Sequence, residues 1–126
     1  MKIMEESMAD QENGPLSMNQ LVKVLDKTPA GITVIDKEGH ILYYNEFCAQ
    51  FVDRKPEYIG KNISFCHQKP ESMVKIKQLL SALDEGKKKE FYYEAKRGEN
   101  TLGVTVSPFI IDDKQIGYIQ CFSIIR

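Results

Sequence analysis

From residue 89 to residue 125 the chain consists almost entirely of strand-forming segments, and the two interruptions are short enough to permit only hairpins. Residues 89–96, 102–111 and 116–125 are rich in β-branched and aromatic side chains, and Arg97-Gly98-Glu99-Asn100 and Asp112-Asp113-Lys114 between them have the composition of turns. Such connections impose antiparallel pairing, since a parallel neighbour needs a crossover of a dozen or more residues. A second strand pair precedes them: residues 31–36 and 41–45 flank Lys37-Glu38-Gly39, where glycine supplies the positive φ of a short loop. Five strands in one sheet need helices over one face to make a core, so the expected class is α+β.

The helices are legible from spacing. Ser17 followed by Gln20 forms a capping-box pattern, and Met18, Leu21, Val22 and Leu25 recur at helical intervals until Thr28-Pro29, which predicts a helix over 18–26. Asn45 is placed to cap a second helix with Phe47, Cys48, Phe51 and Val52 on one face, and Pro56 opens a brief third one that Gly60 closes. From Pro70, the repeat of Met73, Ile76, Leu80 and Leu83 predicts a longer helix ending at Gly86. The order is helix, two strands, helices, three strands. Residues 1–15, with Glu5, Glu6, Asp10 and Glu12 against Lys2, read as a flexible acidic lead, leaving 16–126 as a single domain.

Bulk properties exclude several functions. A length of 126 residues suits one core. With 42% hydrophobic and 28% charged residues and a net charge of -1, the chain lacks the basic excess that holds a phosphate backbone, so nucleic acid is not an expected partner. No long apolar run and no signal-peptide pattern is visible, which predicts a cytoplasmic protein without a membrane span. Cys48, Cys66 and Cys121 are odd in number and widely spaced, against both a disulfide framework and a cysteine zinc site.

The motifs in combination resemble the PAS family over residues 21–125. Pro29-Ala30-Gly31-Ile32-Thr33-Val34-Ile35-Asp36 and then Glu38-Gly39-His40-Ile41-Leu42-Tyr43-Tyr44-Asn45 look like that family's opening hairpin, in which a glycine turn joins two strands and an Asn begins the next helix. Tyr58-Ile59-Gly60-Lys61-Asn62 is similar to its short helix, and Ser107-Pro108 with Gly117-Tyr118-Ile119 to its last two strands. Asn62-Ile63-Ser64-Phe65-Cys66-His67 further resembles a bacterial subgroup attached to hemerythrin-like domains, although Gln68-Lys69-Pro70 departs from its doubled proline. The order helix, two strands, helices, three strands separates the chain from the ketosteroid isomerase-like cone, where helices come first and the sheet follows.

The resemblance implies an antiparallel sheet whose inner face encloses a pocket with the helices. In the family's register, Thr33, Ile35, Leu102, Val104, Val106, Tyr118, Gln120 and Phe122 point inward, facing Phe47, Phe51, Ile63, Met73, Ile76 and Leu80. A filled core is the alternative meaning of the same stripes. Tyr118 and Gln120 carry polar atoms that require partners when buried, from a ligand, water or the protein.

Cys66 and His67 precede the helix that flanks a PAS pocket, and imidazole and thiolate both ligate iron, so His67 is the metal ligand if haem is bound. The family's proximal histidine lies within that helix, and residues 73–83 contain none; a surface or capping role for His67 is the other reading. Ile63 occupies the position of the photoreactive cysteine of flavin-binding relatives, which excludes a covalent adduct. Non-covalent flavin, a small organic acid or a fatty acyl chain stay open as ligands. No catalytic triad or phosphate loop motif is present, and His40 falls in a turn, so an enzyme is not expected.

Three functions are therefore carried forward: a sensor of a small molecule or cofactor, a signalling module that works by association alone, and a haem sensor. Leu21, Val22 and Leu25 with the outer sheet face are expected to form a homodimer, the alternative being that the first helix covers its own sheet. No effector segment follows the last strand, which fits either a stand-alone module or part of a larger regulator.

Overall fold

The capping box forms as the spacing requires. Ser17 Oγ accepts from the Gln20 backbone N–H at 3.1 Å, and Gln20 Oε1 accepts from the Ser17 N–H at 2.9 Å. Two otherwise orphaned donors are thereby satisfied at the start of α1, Met18–Lys27. The helix stops where Pro29 forbids another turn, and Thr28 Oγ1 donates to Val24 O at 2.6 Å. The computed structural model describes residues 14–63, 77, 78, 80, 81, 83, 84 and 90–126. The acidic lead expected over 1–15 lies almost wholly outside these residues.

Strands β1 (Gly31–Asp36) and β2 (Ile41–Tyr44) form the first hairpin, with Gly39 at φ 93 in its turn. Asn45 caps α2, Glu46–Ala49. This helix is a single turn, shorter than the Phe47 to Val52 stripe suggested, because the chain folds back at once: the Phe51 and Val52 N–H groups both donate to Cys48 O at 3.1 Å. A 3-10 turn, Pro56–Tyr58, follows with Pro56 in its first position. Residues 77, 78, 80, 81, 83 and 84 are helical, within the span that the Leu80 and Leu83 spacing predicts. No described helix is long and apolar enough to cross a membrane.

β3 (Phe91–Arg97), β4 (Asn100–Ile111) and β5 (Lys114–Ile124) complete a five-stranded antiparallel sheet in the order β2-β1-β5-β4-β3. The turns are tighter than sequence suggests: β4 begins at Asn100 and β5 at Lys114, not at 102 and 116. Asp112 and Asp113 take φ values of 52 and 64, the left-handed pair whose twist matches that of the flanking strands. A carboxylate side chain close to the backbone tolerates that conformation better than most, and so the ladder continues to the turn.

Joining β1 to β5 brings the first hairpin beside the last, and the register stacks the inner face into rows. Gly31, Phe122, Val104 and Tyr93 form one row, Thr33, Gln120, Val106 and Phe91 the next, and Ile35, Tyr118 and Pro108 the third. Burial follows this alternation, with Thr33, Ile35, Leu102, Val104, Val106, Tyr118 and Phe122 all buried. Helix α1 does not become part of this core: none of its residues is buried, and it rests on α2.

Candidate functional site

The space between sheet and helices divides into three zones along the strands. At one end Phe47, Phe51 and Phe122 form an aromatic cluster, with ring centroids 5.1 Å apart for Phe47 and Phe51 and 6.3 Å from each to Phe122. The Phe122 ring reaches this position because Gly31 opposite has no side chain; a Cβ there would sit 2.0 Å from Cε2 of the ring. These three predicted pocket residues pack against one another at that end of the interior, Phe47 and Phe51 partly buried and Phe122 buried.

The middle zone is polar and centres on a residue that sequence reading passed over. Arg54 is only 8% exposed, although it follows Asp53 in a charged stretch that reads as surface. Its Nε donates to Thr33 Oγ1 at 3.2 Å, Nη1 to Asp53 O at 3.0 Å and Nη2 to Gln120 Oε1 at 3.3 Å. Gln120 Nε2 then donates to the Tyr93 hydroxyl at 3.1 Å. Because guanidinium only donates, these contacts fix the orientation of the Gln120 amide. Thr33 Oγ1, an acceptor toward Arg54, has its hydrogen available for Cys48 Sγ at 3.3 Å. Burial raises the Tyr93 phenol, with the Gln120 hydrogen bond and the charges of Arg97 and Arg54 acting in the opposite direction.

Beside this network lies a cavity of about 100 Å³, lined among the described residues by Val52, Asp53, Arg54, Tyr93, Ala95, Arg97, Leu102, Val104, Gln120 and Phe122. A second, apolar one of about 30 Å³ lies past Gln120 and Tyr93, against Ile35, Ile63, Leu80, Val106 and Tyr118. Its size suits a water or two. The Gln120 to Tyr93 hydrogen bond stands between the two spaces.

Tyr118 closes the third zone. Its hydroxyl donates to Asp84 Oδ1, on the helical residues after the pocket, and Gln115 Nε2 reaches the same oxygen at 3.4 Å. Burial first, then the Asp84 hydrogen bond and charge, push the phenol well above its ordinary value. Thus Tyr118 and Gln120 both find protein partners for the polar atoms that sequence flagged.

Of the expected site residues, Thr33, Ile35, Ile63, Leu80, Leu102, Val104, Val106, Tyr118, Gln120 and Phe122 line the two cavities or their network. Cys66, His67, Met73 and Ile76 lie outside the described residues, as does the haem-ligand role considered for His67. His40 sits on the turn, its Nδ1 3.0 Å from Asp36 Oδ2 and its backbone N–H bonded to Asp36 Oδ1 at 2.8 Å. Arg54, Tyr93 and Arg97 are the residues that the sequence did not reveal. The one available signal was Arg54 lying two residues before Pro56, between two short elements that must both turn over the core.

A five-stranded antiparallel sheet with short helices over an inner face, enclosing polar and apolar space, defines a small α+β domain. A family model described as PAS domain matches residues 21–120, and the chain belongs to that family. The match shows the PAS family and does not by itself assign a subgroup. Among solved structures, a C-terminal domain from Streptococcus mutans is similar with a TM-score of 0.76 at 24% identity, covering 88% of this chain and 87% of that one. A sensory box sensor histidine kinase structure from Vibrio cholerae is similar with a TM-score of 0.60 at 19% identity and 98% coverage of both chains. The PAS domain of the Cronobacter turicensis quorum-sensing receptor RpfR, in complex with BDSF, has a TM-score of 0.59 at 16% identity, covering 79% and 97%. No curated protein matches the chain.

Proposed function

We propose that this PAS domain is a signal-sensing module, not an enzyme, which admits a small molecule between its sheet and helices and transmits the resulting shift through the sheet. The observation that carries this reading is the buried polar network of Arg54, Thr33, Gln120 and Tyr93 beside open space in an otherwise apolar interior. A core built only for stability has little use for a guanidinium, and polar groups converging on a cavity are the usual mark of a ligand chamber. The similarity in fold to a histidine kinase sensor and to a receptor domain bound to BDSF supports the same class of role. Gln120 is the natural relay, since it lies on central strand β5 and contacts both Arg54 and Tyr93.

NMR screening of a small-molecule library against the ¹⁵N-labelled chain tests this. Binders are expected to shift the amides of Thr33, Val106 and Gln120. A library that moves only outer-face amides, or none, refutes the chamber.

Association through Leu21, Val22 and Leu25 is the second half of the proposal. Val22 and Leu25 remain 39% and 38% exposed, and α1 lies on α2 instead of covering its own sheet. A partner helix would bury this apolar stripe. Light scattering is expected to report a dimer at high micromolar concentration, and Leu25→Glu to return it to monomer; a wild-type monomer defeats this half alone.

A further inference from the structure

Arg54 stands out because its charge has no opposite among the described residues. It is buried to 8% exposure, yet among the described residues no carboxylate forms an ion pair with it. Its three hydrogen bonds all go to neutral acceptors, the Thr33 hydroxyl, the Asp53 carbonyl and the Gln120 amide. A guanidinium carries five N–H groups, so two have no acceptor among the described residues. The neighbouring Asp53 carboxylate is engaged elsewhere, by the Tyr58 hydroxyl at 3.3 and 3.4 Å. Desolvating a cation without a counter-charge is unfavourable, and a structure that keeps one buried gains most from an anion that arrives and pairs with it.

The adjoining cavity supplies the rest of such a site. Arg97 adds a second positive charge on its wall and Asp53 a carboxylate, while Leu102, Val104 and Phe122 make part of the lining apolar. The volume, about 100 Å³, is on the order of the roughly 150 Å³ that accepts benzene, which suits an acid of a few carbons.

We propose that this cavity is a carboxylate-binding site for a short-chain organic acid. The carboxylate takes the two open N–H groups of Arg54, and the hydrocarbon lies on Leu102, Val104 and Phe122. Planar, forked donors match a carboxylate better than a point charge does, and two arginines against the single carboxylate of Asp53 leave the wall one positive charge in excess, which suits a monoanion. The inference rests on the chamber reading above and names its ligand class. It also supplies a route for the signal, because a carboxylate on Arg54 shares the guanidinium with Gln120, the residue that bridges to Tyr93 on edge strand β3.

The test compares hexanoate, hexan-1-ol and inorganic phosphate as probes of the full 126-residue chain by calorimetry and ¹⁵N NMR. Hexanoate is expected to bind at least tenfold more tightly than hexanol, with phosphate weaker still. Arg54→Gln is expected to lose at least tenfold for hexanoate while hexanol is unchanged. Should that variant fail to fold, Arg54→Lys, which keeps the charge without the fork, is expected to weaken hexanoate severalfold. Equal binding of hexanol and hexanoate overturns the carboxylate assignment and leaves the chamber standing. Phosphate binding as tight as hexanoate overturns the organic-acid assignment. Interior amides unmoved by every probe overturn this inference, and the chamber falls with it only if the library also leaves them still.

Discussion

Asn45 is the residue whose loss should be felt most widely. It is fully buried, and each hydrogen-bonding position of its amide is used. Oδ1 accepts from the Ile32 N–H at 2.9 Å and the Cys48 N–H at 3.1 Å, and Nδ2 donates to Leu25 O at 2.7 Å and Ala30 O at 2.9 Å. One side chain therefore caps α2, ends α1 and holds the start of β1. Replacing it with alanine removes a helix cap, at a cost of about 1 kcal/mol, and strands backbone groups at about 1–3 kcal/mol for each that water cannot reach. Only the Cys48 contact is wholly buried; the other three are partly buried and belong at the low end of that range. The expected total is about 3–4 kcal/mol, a large share of the roughly 5–15 kcal/mol that holds a domain folded. For a chain of this size it corresponds to a fall of about 10–20 °C in Tm. Urea unfolding followed by circular dichroism measures it. Asn45→Asp provides a control with a different signature: it keeps the acceptors but faces two carbonyl oxygens, so its stability should recover partly as acid protonates it. A loss below about 1 kcal/mol for Asn45→Ala would refute the view that this amide ties the three elements together.

Other substitutions test the remaining parts. Gly31→Ala places a methyl group within the Phe122 ring position and should cost about 1–3 kcal/mol, read from the urea midpoint; Gly31→Ala with Phe122→Leu should recover part of it. Asp36 is held below its usual carboxylate value: burial raises it, but hydrogen bonds from the His40 backbone and ring and the His40 charge together outweigh that. A lowered folded-state value stabilises above the unfolded carboxyl's range and is lost as pH falls through the folded value, so Asp36→Asn should flatten the decline of the urea midpoint below about pH 4. Tyr118 works in the opposite sense. Its raised phenol favours the fold below the ordinary tyrosine range and ceases to do so as pH rises, so stability should fall above about pH 10. Absorbance at the phenolate band should show Tyr118 ionising only as the chain unfolds, and Tyr118→Phe should soften that alkaline limb.

Local chemistry determined the elements of this protein. Ser17 and Gln20 start α1, Thr28-Pro29 stops it, Asn45 caps α2, and alternation sorted the residues of β1, β4 and β5 between two faces strand by strand, while placing Thr33, Ile35, Leu102, Val104, Val106, Tyr118, Gln120 and Phe122 together on the inner face took the register that the family resemblance implies. Turn lengths were less legible, since Asp112 and Asp113 show their left-handed backbone only when two strands twist together. What tertiary structure alone decided was the use of the enclosed space. The pairing of β1 with β5 joins residues nearly ninety positions apart in the chain, such as Thr33 and Gln120, and no local rule encodes it. That pairing sets a hydroxyl and an amide side by side at the depth where Arg54 enters, and a charge that reads as surface in sequence becomes the centre of the interior.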